Sequence, residues 1–395
     1  MKEGWEYKTL GEVVSFSRGL TYKKSDEVDY STNVVLRSTN INVDNNSLNI
    51  DELKYLNENI EFEDEKLIRK GSILICMSNG SKKHLGKVAL IEHDYKYAFG
   101  GFMGLLTPVI KINSKYLYYT LTTPKYKEYI KSLSEGANIN NLKIKDIQKY
   151  IIPIFPLNEQ RRIVSYLDSS FKLIDEIKNK ALKSLTEAKA LFQSALAEAM
   201  EPKEGTLMER IGDVFTTYAG GTPLKSQKDY YEGGEIPWLR SGEVCKKYIS
   251  ETELYITQKG MDNSSAKFYP ENTVVVAMYG ATAAQVGILK IKATSNQAVC
   301  GIIPHKDFIP EYVYYWFLFV QDDLASQAQG GAQPNISQIK IKNVLIPIIK
   351  KEEQKQIVSR LDKLSSKVRA IEEKYQKMVE ECDALKQAML RDVFE

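Results

Sequence analysis

The strongest constraint on this chain is an unbroken run of helix-forming residues from Asn158 to Met200, with no Pro or Gly inside it. Apolar side chains recur along it at Ile163, Leu167, Ile174, Ile177 and Ala181, with Ser170 on the same line. They resume at Leu185, Ala188, Phe192, Ala195 and Ala199 after one extra step of four. Lys, Glu and Gln, which favour helix, fill the remaining faces. At ~1.5 Å per residue, about 43 residues make a rod of roughly 64 Å. That exceeds the helices of ordinary globular domains and predicts a coiled-coil arm.

A second rod closes the chain, from Glu352 to Phe394. Its apolar line runs through Ile357, Leu361, Leu364, Val368, Ile371, Tyr375, Met378, Cys382, Leu385 and Met389 in alternating steps of four and three, which suits a partner helix. Both rods start alike: Glu159-Gln160, Ile163-Val164 and Leu167-Asp168 match Glu353-Gln354, Ile357-Val358 and Leu361-Asp362. Two rods of one register can pair with each other, and an antiparallel pair would hold the domains that precede them at opposite ends. The competing reading is two unrelated amphipathic helices on one core; the matched starts argue against it.

Composition adds boundaries rather than identity. A chain of 395 residues has room for two to four domains. Its net charge of +3 neither requires nor excludes nucleic acid, because a basic face can sit inside a balanced total. Four scattered cysteines, no CxxC and three histidines argue against a zinc site. The first residues lack the apolar core of a signal peptide, and the longest apolar run, Val313 to Val320, is too short to span a bilayer. A cytoplasmic protein without membrane contact is expected.

The segments before the rods repeat one another. Leu10-Gly11-Glu12-Val13 matches Ile211-Gly212-Asp213-Val214, Leu36-Arg37-Ser38 matches Leu239-Arg240-Ser241, and the strand ending at Met77 matches Thr273 to Met278. Leu85-Gly86-Lys87 is paired with Val286-Gly287-Ile288, Leu142-Lys143-Ile144-Lys145 with Ile339-Lys340-Ile341-Lys342, and Ile152-Pro153-Ile154 with Ile346-Pro347-Ile348. In the first copy Gly71 to Met77 and Gly86 to Glu92 predict a hairpin with a basic tip, and Gly136 to Asn141 a polar loop. The order is therefore a globular unit (1–157), a rod (158–201), a second globular unit (202–350) and a second rod (351–395). Scaffold segments agree between copies while loops differ, Ser81-Lys82-Lys83-His84 against Ala281-Thr282-Ala283-Ala284 for example. Unlike loops on a common scaffold suit the reading of two different surfaces; unselected drift of surface loops explains the same fact.

Catalytic signatures are missing. Leu85-Gly86-Lys87-Val88 lacks the Ser or Thr of a phosphate loop, and no Asn-Pro-Pro-Tyr or Asp-Pro-Pro-Tyr occurs for amino methylation. Binding chemistry remains. Arg can bond guanine with two donors, Asn or Gln can bond adenine, and Lys or hydroxyl groups hold phosphates. Candidates in the first unit are Tyr22, Lys23, Lys24, Arg37, Ser38, Asn79, Lys82, Lys83, His84 and Lys87. Those in the second are Thr222, Lys225, Ser226, Arg240, Ser241, Tyr279, Thr282, Gln285, Asn296 and Gln297. The competing reading for each is an ordinary surface residue, and for Arg37 and Arg240, which follow equivalent strands, a structural salt bridge.

Ile236-Pro237-Trp238-Leu239-Arg240, with Gly220-Gly221-Thr222-Pro223, Asn296-Gln297-Ala298, Ile346-Pro347-Ile348 and the Glu-Gln-x-x-Ile-Val start of each rod, resembles the specificity subunits of Type I restriction–modification enzymes. The likeness covers essentially the whole chain in the order of that family. The first unit departs from it: Asn33-Val34-Val35-Leu36-Arg37 lacks Pro-Trp, and Phe99 to Phe102 stands where Asn-Gln-Ala is expected. The resemblance implies an α+β chain with two similar mixed α/β target-recognition domains, separated by two long helices paired as an antiparallel coiled coil. Each domain would read half of a split DNA site in the major groove. The helices would fix the gap and dock two modification subunits. S-adenosylmethionine, ATP and magnesium would sit on partners, two restriction subunits among them, and this subunit would carry no chemistry. Two rivals stand beside that reading: an enzyme with an unrecognised site, and a coiled-coil scaffold with two protein-binding domains.

Overall fold

The computed structural model of the chain describes residues 5–43, 45–135, 141–327 and 335–395. The polar loop expected from Gly136 lies outside the described residues, Asn141 excepted. The chain divides into two compact units, Met1–Leu182 with Gln376–Glu395, and Lys183–Tyr375. Two helices, Leu157–Met200 and Lys351–Phe394, each contribute one end to each unit. Among the described residues no helix is long and apolar enough to cross a membrane.

In the first unit Val14–Arg18, Met103–Pro108, Ile73–Cys76 and Val88–Leu90 form an antiparallel sheet in that order. A second sheet runs Glu27–Val28, Lys54–Leu56, Asn33–Leu36, Ala98–Phe99, its last pair parallel. Ile73–Cys76 is an unbroken apolar run because both of its faces are covered. Its side chains alternate between two cores. Ile73 and Ile75 pack with Leu117, Tyr126 and Ile130 from the helical layer, and Leu74 and Cys76 with Leu36 and Phe99 of the other sheet. The basic-tipped hairpin is present, Ile73–Cys76 pairing antiparallel with Val88–Leu90.

The second unit repeats this plan. Thr217–Ala219, Val299–Ile302, Val274–Ala277, Val286–Leu289 and Tyr248–Ile249 make one sheet; Leu254–Ile256, Ile236–Leu239 and Thr294–Ser295 make the other, again with a parallel last pair. Val274 and Val276 face Tyr312, Trp316 and Ile341, while Val275 and Ala277 face Leu239 and Val244.

The shared start of the rods has a structural cause. Gln160 is buried, its Oε1 accepting from Asn113 N at 2.8 Å and its Nε2 donating to Phe155 O at 2.7 Å. Gln354 does the same for Ile309 N (2.9 Å), Asp307 O (2.9 Å) and Ile349 O (3.0 Å). Two turns on, Asp168 accepts from Tyr119 Oη at 2.5 Å and pairs with Lys115, and Asp362 accepts from Tyr315 Oη at 2.5 Å and pairs with Lys247. Each globular part is thus pinned to the helix that follows it.

Each part also receives the far end of the other helix. In the first unit Leu390 and Phe394 are buried with Tyr116, Val164 and Leu167; in the second, Leu196 and Met200 are buried with Ile211, Val358 and Leu361. Lys178 pairs with Asp383 at 2.6 Å and Lys386 with Asp175 at 2.5 Å in the first unit, and Arg360 with Glu198 at 2.9 Å in the second. Early residues of one helix meet late residues of the other, so the pair is antiparallel.

The observed seam corrects the apolar line read from sequence. Ile163, Leu167, Ile174, Leu185, Phe192, Ile357, Leu361, Leu364, Val368 and Met378 are at least half-buried. Ile177, Ile371 and Leu385 are exposed, Ile177 at 42% and Leu385 at 51%. Between two seam positions seven apart, a helix offers both a third and a fourth residue, on opposite sides of the line. The partner covers the fourth: Lys178 rather than Ile177, and Lys386 rather than Leu385. The two lysines bury their stems and reach carboxylates with their heads.

Two pairings within the repeat are also corrected. Gly86 N donates to Cys76 O and Cys76 N to Lys87 O, just as Ala284 N donates to Ala277 O and Ala277 N to Gln285 O. Gly86 therefore corresponds to Ala284, not Gly287, and Lys87 to Gln285, because the second loop is shorter. Both residues hold the left-handed conformation, at φ 71° and 68°. Gly86 needs to be glycine because a Cβ would press into Ile130. Leu142 N donates to Met77 O and Ile336 N to Met278 O, so Leu142 corresponds to Ile336 rather than Ile339.

Candidate nucleic-acid interface

In each unit the ends of two parallel strands carry a tight turn on which three loops converge. In the first unit the turn is Gly100–Met103, closed by Met103 N donating to Gly100 O at 2.8 Å. Gly100 N donates to Leu36 O at 2.8 Å, drawing in the Arg37-Ser38 segment. Leu20 N donates to Phe99 O at 2.7 Å, and Met77 N and Ser78 N donate to Phe102 O at 2.8 and 3.1 Å, which brings in the other two loops. In the second unit the turn is Asn296–Val299; Asn296 N donates to Leu239 O, Gly221 N to Ser295 O, and Met278 N to Ala298 O. Gly19 and Gly220 permit the close crossing, since a Cβ on Gly19 would overlap the Gly100 carbonyl and one on Gly220 that of Ser295. Asn296-Gln297-Ala298 and Gly100-Gly101-Phe102 are therefore equivalent positions.

This platform gathers several of the first unit's candidates. Asn79 Nδ2 donates to Ser38 Oγ at 2.9 Å. Tyr22 is half-buried beside Gly100, where burial pushes its hydroxyl up and the Arg37 guanidinium opposes that shift. Arg37 is half-buried with its Nε unpartnered among the described residues. Lys23 and Lys24 are exposed along the same loop. Lys82 and Lys83 are exposed at the hairpin tip, Lys82 Nζ donating to Ser134 O at 3.3 Å. They border a groove of about 530 Å³ that reaches Lys127 and Lys131 on the helix Pro124–Glu135.

Lys87 does not join the exposed group. It is buried, and its Nζ donates to Ile41 O at 2.6 Å and lies 3.0 Å from His84 Nδ1, so it braces the hairpin instead of meeting a ligand. Burial, then Lys87 and Lys83, hold His84 below the usual histidine range. With Nδ1 accepting from the Lys87 amine, the ring proton belongs on Nε2.

In the second unit Thr222 Oγ1 donates to Gln297 Oε1, fixing that amide at the surface. Asn296 Oδ1 accepts from Ala298 N at 3.1 Å and shapes the turn. Lys225 and Ser226 are exposed, and Ser241, Thr282 and Gln285 half-buried, Gln285 Oε1 being buried without a partner among the described residues. Tyr279 is exposed on the loop after Val274–Ala277. Arg240 takes the structural role weighed for it: its guanidinium pairs with Glu253 and lies 3.6 Å from Glu243.

Sequence reasoning missed Thr21 and Phe102. Thr21 Oγ1 lies 3.4 Å from where a Cβ on Gly101 would stand, matching Thr222 against Gln297. Phe102 occupies the turn and is 72% exposed, while its counterpart Ala298 is buried. The signal for both is the equivalence of Gly-Gly-Phe with Asn-Gln-Ala.

The arrangement offers hydrogen-bonding, basic and aromatic side chains on a rigid main-chain frame, twice. The chain matches the family model described as Type I restriction modification DNA specificity domain over residues 2–187 and again over 204–381. It is 26% identical over 424 residues to the Type I restriction enzyme EcoKI specificity subunit of Escherichia coli, covering 100% of this chain and 89% of that one. It is 25% identical over 422 residues to the StySPI specificity subunit of Salmonella potsdam, with the same coverage. Among solved structures, a chain from work on complex assembly and conformational transition of the type I R-M system shares the fold at TM-score 0.79 and 18% identity, over 99% of this chain and 97% of that one. The HsdS subunit from Thermoanaerobacter tengcongensis does so at TM-score 0.53 and 18% identity, over 99% and 96%.

Proposed function

The chain belongs to the Type I restriction modification DNA specificity family, and from that premise we propose that its two units read the two halves of a bipartite duplex site, each through its turn-centred loop platform. The observation that carries this is the duplication itself: one main-chain frame occurs twice, with unlike side chains on it. A frame held by backbone bonds positions contacts, and side chains that differ give each copy its own base preference. The exposed lysines at 23, 24, 82 and 83 hold phosphates beside the first platform. In the second, Gln297, Asn296 and Thr222 present amide and hydroxyl groups suited to adenine.

The antiparallel helices act as the spacer that sets the unread gap, and their outer faces dock two modification subunits. Exposed Leu173, Ile177, Leu191 and Leu385 suit that docking. The chain itself is a reader without chemistry. S-adenosylmethionine belongs to the modification partners, ATP and magnesium to two restriction partners, and the assembly works in the cytoplasm.

The test is a genome-wide map of methylated adenines in the host with and without this gene. A split motif that is methylated only when the gene is present is the expected result. An unchanged map, or turnover by the purified chain alone with S-adenosylmethionine or magnesium, refutes the reading.

A further inference from the structure

Phe102 has 72% of its surface exposed although its main chain is tied into the first unit's frame. Its carbonyl accepts from both Met77 N and Ser78 N, and the turn around it is closed by Met103 N donating to Gly100 O. A lone exposed apolar residue is ordinary on a protein surface. This one differs in its place: it is the only side chain larger than hydrogen in Gly100-Gly101-Phe102, and the turn is where Tyr22, Thr21, Ser38 and Asn79 converge. In the second unit the same turn carries two amide side chains, and the position of Phe102 is a buried Ala298. Where the second unit carries hydrogen-bonding groups, the first carries an exposed ring on a hydrogen-bonded main chain.

Base edges in the major groove offer one apolar feature, the 5-methyl group of thymine. We propose that Phe102 is a specificity-determining residue of the first unit and packs its ring on a thymine methyl in that unit's half-site; this rests on the DNA-reading role given above. The neighbouring Gly101 supports it, because it is exposed and leaves the backbone beside the ring bare for the duplex edge to approach, while Gly100 lies buried beneath Tyr22 and anchors the turn.

The test measures binding of the full chain, assembled with its modification subunits, to duplexes carrying the motif mapped in the genome, with deoxyuridine replacing each thymine in turn. One replacement in the first half-site should weaken wild-type binding roughly 4-fold, the value of burying one methyl. Phe102→Ala should weaken binding about 10-fold or more and remove that sensitivity, while Phe102→Leu should retain part of it. Sensitivity that persists in Phe102→Ala, no sensitive thymine in wild type, or a first half-site without an A·T pair overturns the inference. Failure of wild type to distinguish the motif from a scrambled duplex overturns the DNA-reading role together with it; specific wild-type binding with Phe102→Ala unaffected overturns this inference alone.

Discussion

The spacer role yields a quantity that can be worked from the helix seam. Leu361, Val368, Tyr375 and Cys382 recur every seventh residue on the covered side, as do Leu167, Ile174, Ala181 and Ala188. A seven-residue insertion therefore restores the seam on both sides of itself, whereas other lengths rotate it away from the partner. We consider one heptad with apolar seam residues placed between Leu182 and Lys183, and a second between Tyr375 and Gln376, where the two units divide. Each adds about 10 Å at ~1.5 Å per residue. At ~3.4 Å per base pair along the duplex, the unread gap should lengthen by about three base pairs. The assay is adenine-methylation mapping in cells carrying the altered gene, which reports both half-sites and the gap in one measurement. Unchanged half-sites with a longer gap are expected. Methylation at unchanged spacing, from a variant shown to assemble, would refute the argument, because then the helices do not set the distance. A heptad in one helix alone displaces the pairs Lys178–Asp383 and Arg360–Glu198 relative to each other and should abolish methylation.

Three further outcomes follow from single sites. Gln160→Leu keeps volume and helix propensity but strands Asn113 N and Phe155 O, at roughly 1–3 kcal/mol for each buried orphan; hydrogen exchange of the helix Ser114–Thr120 in the full chain should accelerate, and unchanged protection would contradict it. Lys82→Ala with Lys83→Ala should reduce the steepness of log K against log salt by about 0.9 for each phosphate no longer neutralised, across all sequences; Lys87→Ala should instead loosen the hairpin, since its amine serves Ile41 O. His84 binds fewer protons folded than unfolded, because its pKa is held down by burial and by Lys87 and Lys83. Its contribution is present above the unfolded value of about 6.5 and is lost as pH falls below it; NMR of the ring should show titration below that value, and a shift upward would reverse the sign.

Architecture was legible because it is written in periodicity and repetition. The length of the rods, the matched Gln160 and Gln354 starts, and the paired strands ending at Leu36 and Leu239 need no tertiary knowledge to find. Which side of each helix faces the partner was not legible, since Ile177 and Lys178 lie on opposite flanks of the same line and polarity favours the wrong one. The internal alignment slips for a similar reason: the nearest glycine to pair with Gly86 is Gly287, while the left-handed position in the second copy is held by Ala284. Candidate contacts divide by burial, which composition does not reveal. Lys87 and Lys83 are the same residue type in one loop, yet one is buried against a carbonyl and the other exposed.

The same division explains how two copies of one frame can come to prefer different bases. The bonds shared by both platforms join main-chain atoms: Gly100 N to Leu36 O and Asn296 N to Leu239 O, Met77 N to Phe102 O and Met278 N to Ala298 O. These bonds are common to both copies, so the frame is kept while Asn-Gln-Ala gives way to Gly-Gly-Phe, although Asn296 adds its own side-chain bond to Ala298 N within the second turn. Arg240 shows the limit of that freedom. Its guanidinium is tied to Glu243 and Glu253, and Glu243 Oε1 also accepts from Glu253 N at 2.7 Å, so that position is committed to the frame. Arg37 has no such carboxylates on the described residues around it and keeps a buried Nε unpartnered. Equivalent arginines can thus be tied to carboxylates in one unit and left without an ion pair among the described residues in the other.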